Sequence, residues 1–155
     1  MEILTVELVP QSMWRFNVRS NVRPKTWDRI KCEVALPADW RCQICRRAGA
    51  NHPVECHEVW EYDDRRLVQI LTGLVPLCPD CHRVKHFGLA MAQNRTRDAL
   101  VWLCQFNNWT PDQGLRHVAA ALQVHKQRST HEWQLDLSLL TRRYGVRLDA
   151  NHQEI

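Results

Sequence analysis

Long apolar runs are missing from this 155-residue chain. No stretch approaches the roughly 20 consecutive apolar residues that a membrane-spanning helix needs, so we expect no contact with a membrane. The first residues also lack the basic region and apolar run of a secretory signal, and we therefore expect a cytoplasmic protein. In a reducing cytoplasm the seven cysteines should not pair as disulfides, which leaves metal binding and burial as their roles.

Internal repeats and low-complexity tracts are also missing from the sequence. Hydrophobic residues make up 45% of the chain and charged residues 25%, which is typical of a globular protein and argues against general disorder. The formal net charge of +4 favours a polyanionic partner, but many unrelated proteins carry as much charge. The length fits one domain with appended helices.

The N-terminal region, residues 1–37, is predicted to contain one strand and one helix. Residues 4–9 alternate weakly between apolar and polar side chains, which predicts a short strand. Pro24 suits the first turn of a helix, and Trp27, Ile30 and Val34 share one face of it. We therefore expect a helix over residues 24–36, which carries Cys32 as a buried packing residue.

The C-terminal region, residues 91–155, is predicted to be a helical extension packed on the core. A first helix over residues 96–106 has an apolar stripe and a buried Cys104. A second helix begins at Thr110, an N-cap residue followed by Pro111 and by Gln113 at the capping-box position. It is expected to run to about residue 127 with four side chains facing inward, namely Leu115, Val118, Ala119 and Leu122. Residues 133–140 are expected to form a strand or an extended arm.

Two C-x-x-C motifs between these regions predict a structural zinc site. Cys42 and Cys45 form the first motif, and Cys78 and Cys81 form the second. Two residues between thiolates allow one tight turn to present both sulfurs to one ion, and two such turns complete the tetrahedron that zinc prefers. A redox motif would occur once and would not need a partner pair.

Three histidines near these motifs are candidate ligands of a second ion. The second motif continues to His82 and His86, which lie four residues apart and share a face if Pro79 begins a helix. The segment Val54-Glu55-Cys56-His57-Glu58-Val59-Trp60 is predicted to be part of a strand or hairpin and supplies His57 as a further ligand and Glu58 as a possible base.

The run from Trp40 to His86 resembles the HNH endonuclease family. It reads W-x-C-x-x-C, then V-E-C-H-E-V-W, then L-V-P-L-C-x-x-C-H-x-x-x-H. The resemblance implies an α+β protein whose residues 38–90 form a ββα-metal core, with a hairpin that carries the first histidine motif and a helix that carries the last. It also implies hydrolysis of phosphodiester bonds, in DNA more often than RNA, with one divalent ion on the scissile phosphate, a general base for water and a zinc knuckle as scaffold.

Carried onto this sequence, the resemblance implies two alignments of the hairpin motif. In one, His57 binds the catalytic ion and Glu58 is the base; in the other, Cys56 is the ligand and His57 is the base. We favour the first, since it places His57, His82 and His86 around one Mg²⁺, Mn²⁺, Ni²⁺ or Zn²⁺ ion, and a thiolate suits magnesium or manganese poorly. The family's central Asn falls near Gly73 in this chain.

Nucleic acid is the expected partner, and Arg83 and Lys85 are its predicted contacts because they lie between the two helix histidines. Other candidate phosphate contacts are Arg15, Arg19, Arg23, Lys25, Arg46 and Arg47. The carboxylate at position 58 and the missing Asn leave open a catalytically inactive, zinc-stabilised nucleic-acid-binding module. A zinc-scaffolded protein-interaction domain is a further alternative, indicated only by the seven tryptophans and the extra helices.

Overall fold

The computed structural model describes residues 3–48 and 54–155 as a mixed α+β structure. The predicted α+β class is therefore confirmed. Residues 1–2, and residues 49–53 within the predicted core region, lie outside the described residues. The helices are α1 Val18–Asn21, α2 Pro24–Ala35, α3 Pro79–Lys85, α4 Phe87–Ala92, α5 Thr96–Asn107, α6 Pro111–Arg128 and α7 Ser138–Tyr144, with 3₁₀ turns at Gln11–Met13 and Leu36–Ala38.

A three-stranded sheet lies at the centre of the chain, in the order β1-β2-β3. Strands β1 (Glu55–Asp63) and β2 (Val68–Leu77) form an antiparallel hairpin, whose register shifts between Val59 and Trp60. Strand β3 (Gln134–Asp136) pairs parallel to β2. The hairpin leads directly into α3, so that strand and helix residues are brought to the same end of the sheet.

Two apolar clusters pack against the hairpin. The first contains Leu77, three of the four cysteines of the C-x-x-C motifs, and side chains of α3, α4, α5 and α6. The second contains Leu71, Leu74 and side chains of α1, α2 and α7. Strand β2 therefore contributes to both clusters, and the hairpin is covered on both sides. Leu71 and Leu77 lie on different faces although they are six residues apart, because the register shift between Val59 and Trp60 falls between them.

Several predicted helices are confirmed, together with their end signals. Helix α2 begins at Pro24 and buries Ile30 and Val34. Helix α6 has Thr110 as its N-cap, and a complete capping box with Gln113. These signals depend on neighbours within one turn, which is why the sequence alone indicates them.

The predicted strand over residues 4–9 is wrong. This segment has no regular secondary structure, and its backbone hydrogen-bond partners are helix side chains and a helix end. Leu4 is bonded through both backbone groups to the side chain of Asn107, Val6 N–H donates to His117, and Glu7 N–H donates to the carbonyl of Lys85. An alternating pattern cannot distinguish this arrangement from a sheet.

The predicted inward face of α6 is also wrong in part. Of the four side chains expected to face inward, only Val118 is buried, whereas Leu115 is 53% exposed. The buried face is centred on Gly114 and Val118, and at Gly114 the backbone of α6 lies directly against Cys104 and Leu100 of α5. Cys104 is buried as predicted, but Cys32 is exposed on α2, which corrects the prediction that it packs inside.

Residues 133–140 include a short strand, as predicted, and also the first residues of a helix that was not predicted. Trp133 is buried, β3 follows it, and α7 begins at Ser138. Among the helices of residues 3–48 and 54–155, none combines the length and apolarity that crossing a bilayer requires.

Candidate metal centre

The four cysteines of the two C-x-x-C motifs lie together. Each sulfur is within 4.8 Å of the others, and Cys45 Sγ is 3.5 Å from Cys78 Sγ. Cys78 is the N-cap residue of α3, and Cys81 lies in its first turn. The turn that carries Cys42 is tied to the hairpin because Gln43 N–H donates to the carbonyl of Pro76 at 2.8 Å. The arrangement is a possible metal site of the type that zinc prefers.

The four sulfurs interact strongly with one another and with their surroundings. Hydrogen bonds from the thiols of Cys78 and Cys81 lower the pKa of Cys42, and sharing those contacts raises the pKa values of Cys78 and Cys81. Trp102 Nε1–H donates to Cys81 Sγ at 3.4 Å, as a donor beside a ligated thiolate would. Four thiolates this close repel one another unless a positive ion lies between them.

His57, His82 and His86 form a second group. His57 lies in β1, His82 in α3, and His86 at the end of α3, where one turn of helix separates the two side chains. One ring nitrogen of each lies within 4.8 Å of the others. The three histidines predicted as ligands are therefore brought together where the hairpin leads into α3.

One pair of these nitrogens has the spacing expected on a tetrahedral ion. His57 Nδ1 is 3.3 Å from His86 Nε2. Two nitrogens that each lie about 2.0–2.1 Å from a tetrahedral ion are about 3.4 Å apart. Burial, followed by the charges of His82 and His57, lowers the pKa of His86 to about 4, so its imidazole is neutral at physiological pH, the form that binds metal.

Glu7 completes this group and was not predicted from the sequence. Its Oε2 accepts a hydrogen bond from His57 Nε2 at 2.8 Å, which leaves the lone pair of Nδ1 directed toward His86. Burial opposes ionisation of Glu7, but the hydrogen bond from His57 and the charge of Lys85 outweigh it and lower the pKa of Glu7. Nothing in the local sequence signals this contact, because Glu7 and His57 are 50 residues apart.

A second carboxylate lies beside His82. An oxygen of Glu55 pairs with His82 Nδ1, which leaves Nε2 as the nitrogen of His82 that is available to an ion. Glu55 and His57 are two apart in β1 and share a strand face. Each of two histidines in the group is therefore held by a carboxylate, as is usual for imidazoles that bind metals.

Glu58 and Cys56 lie on the other side of the hairpin. Strand neighbours alternate between faces, and Cys56 packs against the second apolar cluster. Glu58 Oε1 accepts a hydrogen bond from Val18 N–H at 2.8 Å, and burial raises the pKa of Glu58 above its usual range. The structure therefore brings His57 to the other two histidines. It does not bring the predicted base Glu58 or the alternative ligand Cys56 to them.

The predicted phosphate contacts on α3 are already paired. Lys85 Nζ donates to Glu7 Oε1 at 2.8 Å and to Thr5 Oγ1 at 2.9 Å, and its side chain is only 12% exposed. Arg83 Nη1 lies 3.0 Å from Asp80 Oδ1, and its side chain is half-buried. Lys85 holds the N-terminal segment against α3, a role that the spacing of charges does not reveal.

Gly73 lies opposite Val59 in the hairpin, where the resemblance expects an Asn. A Cβ at this position would meet Val59 at 3.7 Å, which is ordinary contact, so the fold does not demand glycine here.

Comparisons of the whole chain with models of protein families, with curated proteins and with solved structures found no match. The function of the chain is therefore inferred from the geometry of the cysteine group and the histidine group.

Proposed function

We propose that this protein is an HNH-type endonuclease that hydrolyses phosphodiester bonds of nucleic acid, DNA ahead of RNA. The carrying observation is that ring nitrogens of His57, His82 and His86 lie within 4.8 Å of one another beside a group of four cysteines. In this proposal β1, β2 and α3 form a ββα-metal core, and structural zinc at the cysteines holds the hairpin to the helix.

The three histidines would hold a divalent ion, which would polarise a phosphate oxygen, stabilise the leaving oxygen and lower the pKa of water. His57 Nδ1, His82 Nε2 and His86 Nε2 are the ligand atoms, a donor set that suits zinc or nickel better than magnesium or manganese. Glu7 orients His57 through Nε2, and Glu55 orients His82 through Nδ1. Three protein ligands leave a coordination position open, as catalytic sites require.

His57 has two possible roles, and one measurement distinguishes them. If His57 is a ligand, His57→Ala would reduce both metal binding and cleavage. If His57 is a general base, the same variant would lose cleavage while the ion stayed bound. We favour the ligand role, because the 3.3 Å between His57 Nδ1 and His86 Nε2 matches two nitrogens on one tetrahedral ion.

The activity is tested by incubating the purified protein with supercoiled plasmid DNA and Mg²⁺, Mn²⁺, Ni²⁺ or Zn²⁺. We expect cleavage with at least one ion, and its reduction to background in His82→Ala and His86→Ala. His131→Ala is the matched control, since His131 is exposed and remote in sequence from the site. Cleavage that survives in both site variants would refute the proposal.

A second candidate is a nucleic-acid-binding module that has lost cleavage. Two observations favour it: the carboxyl of Glu58 is occupied by Val18 N–H on the far face of the hairpin, and Gly73 stands where the Asn is expected. This candidate predicts binding of DNA or RNA without cleavage under every ion. Absence of any nucleic-acid binding would instead favour a zinc-scaffolded protein-interaction domain.

A further inference from the structure

Two large aromatic side chains lie exposed in the short segment before α1. Trp14 is 63% exposed and Phe16 is 43% exposed. Between and after them lie Arg15 and Arg19, which are also exposed. Neighbouring exposed apolar side chains rimmed by polar or charged ones can mark an interaction site. We call residues 14–19 the aromatic-basic segment.

Positive charge is concentrated in the sequence around this segment, while in the structure Glu154 lies beside Arg23. Between Glu7 and Asp28 the sequence contains Arg15, Arg19, Arg23 and Lys25 but no acidic residue. In the described part of the chain, no ion pair involves Arg15 or Arg19. By contrast, Arg83 is paired with Asp80, and Arg128 with Asp64. The two guanidinium groups are therefore available to an anionic partner.

The segment is anchored to the body of the protein at β1, on the face of the hairpin opposite His57. Val18 is fully buried, and its N–H donates to Glu58, the neighbour of His57 in β1. Trp14 Nε1–H donates to the carbonyl of Val9 at 2.9 Å, and the Trp14 ring stacks on His125 with centroids 6.2 Å apart. These contacts position Trp14 although most of its surface is exposed, so that little ordering is needed when a partner binds.

We propose that the aromatic-basic segment binds single-stranded nucleic acid, with bases stacked on Trp14 and Phe16 and phosphates contacted by Arg15 and Arg19. Aromatic side chains can stack with bases that are free of a duplex, and arginines along the same segment can follow the backbone. The helix in this region, α1, has only 4 residues, which is too short for an amphipathic membrane-binding helix. The proposal rests on nucleic acid being the partner of the proposed function, and it specifies the form of nucleic acid that is bound.

The test measures binding of a fluorescein-labelled DNA single strand by anisotropy, with the zinc-loaded protein and no added divalent ion. The strand should be longer than the roughly 4–16 nucleotides that such surfaces cover. We expect Trp14→Ala and Phe16→Ala each to weaken binding about 10-fold, the scale of one base–aromatic stack. Arg15→Ala and Arg19→Ala should each reduce the slope of log affinity against log salt by about 0.7.

The matched controls are Leu115→Ala and Arg116→Ala, which remove one exposed apolar and one exposed charged side chain from α6. They should bind as the unaltered protein does. Trp14→Phe should retain most of the affinity, and unchanged melting temperatures would show that the variants are folded. The inference is overturned if the aromatic variants bind the single strand normally, or if the α6 variants lose as much affinity. It is also overturned if a duplex binds more tightly than the single strand and Trp14→Ala does not change duplex binding.

Binding and cleavage are measured separately, so the two proposals can fail independently. Single-strand binding that depends on Trp14 and Phe16, without cleavage under any ion, would support this inference and refute the nuclease. Plasmid cleavage together with normal single-strand binding by the aromatic variants would support the nuclease and refute this inference.

Discussion

At the level of single side chains, the contact between Glu7 and His57 determines which imidazole nitrogen faces the other histidines. Glu7 Oε2 accepts from Nε2 at 2.8 Å, and Nδ1 is left 3.3 Å from His86 Nε2. A carboxylate behind a metal-binding imidazole fixes its tautomer and raises its basicity. Glu7 therefore acts as a positioning residue for the histidine group, and does not need to touch a substrate.

Replacing Glu7 with Ala should weaken binding of an exchangeable Ni²⁺ or Zn²⁺ ion by about 10- to 100-fold, because His57 loses the group that orients it. The measurement is competition with a chromophoric chelator while the cysteine-bound zinc stays in place. Glu61→Ala, which removes an exposed carboxylate from the same strand, is the control. Equal affinity in both variants would mean that Glu7 has no role at the histidines.

At the level of secondary-structure elements, the packing of α6 on α5 depends on Gly114. A Cβ at Gly114 would lie 2.3 Å from Cys104 Sγ and 3.1 Å from Leu100 Cδ1. Glycine is a poor helix former, so an 18-residue helix would ordinarily be more stable with Ala here, by about 1 kcal/mol. Close approach of the two helices outweighs that preference, and it also explains why Leu115 faces solvent.

Gly114→Ala should therefore lower the free energy of unfolding by about 1–3 kcal/mol, the usual cost of overpacking, in spite of its better helix propensity. Adding Cys104→Ala should recover part of the loss, because it removes the nearer of the two opposing atoms. Urea denaturation of the single and double variants measures this coupling.

Gly88→Ala is the matched control in α4, where a new Cβ would meet only Leu8 Cδ2 at 3.5 Å. It should leave stability nearly unchanged or raise it slightly. If Gly114→Ala behaved in the same way, the close approach of α5 and α6 would be refuted.

At the level of the whole molecule, the four cysteines join parts of the chain that are far apart in sequence. Cys42, Cys78 and Cys81 are buried in the first apolar cluster, together with side chains of α3, α5 and α6. The free energy of zinc binding in small zinc domains, about 10–16 kcal/mol, is comparable to or larger than the total stability of a typical domain, about 5–15 kcal/mol. Zinc is therefore expected to be a condition of folding.

Removal of zinc with a strong chelator should abolish the cooperative thermal transition of the first cluster and reduce the helical circular dichroism signal. Cys78→Ser should have the same effect, and Cys32→Ser, which changes an exposed cysteine on α2, should not. Metal analysis should find one tightly held zinc per chain before chelation. A chelated protein that melts as before would contradict the structural role of the cysteine group.

Features that depend on near neighbours could be predicted from the sequence. The two C-x-x-C motifs predicted a common metal site, and the four sulfurs do lie together. The spacing of His82 and His86 predicted a shared helix face, and Thr110 with Gln113 predicted the start of α6. Each of these depends on a turn of helix or loop whose geometry is set by local backbone conformation.

Distant contacts could not be read from the sequence, because they depend on how the elements pack. An apolar alternation at residues 4–9 predicted a strand, yet those residues bind helix side chains, and one of them, Glu7, holds His57. Lys85, which was predicted to contact phosphate, is paired with Glu7.

The sequence by itself therefore determined the set of candidate ligands, since cysteine and histidine spacing reflects turn and helix geometry. Strand alternation turns Cys56 and Glu58 away from the face of His57. Only the tertiary structure decided what lies on each face: the other histidines beside His57, and the second apolar cluster and Val18 on the other side. It also brought Glu7 to the site across 50 residues, a contact that depends on the N-terminal segment packing along α3 and that no local pattern encodes.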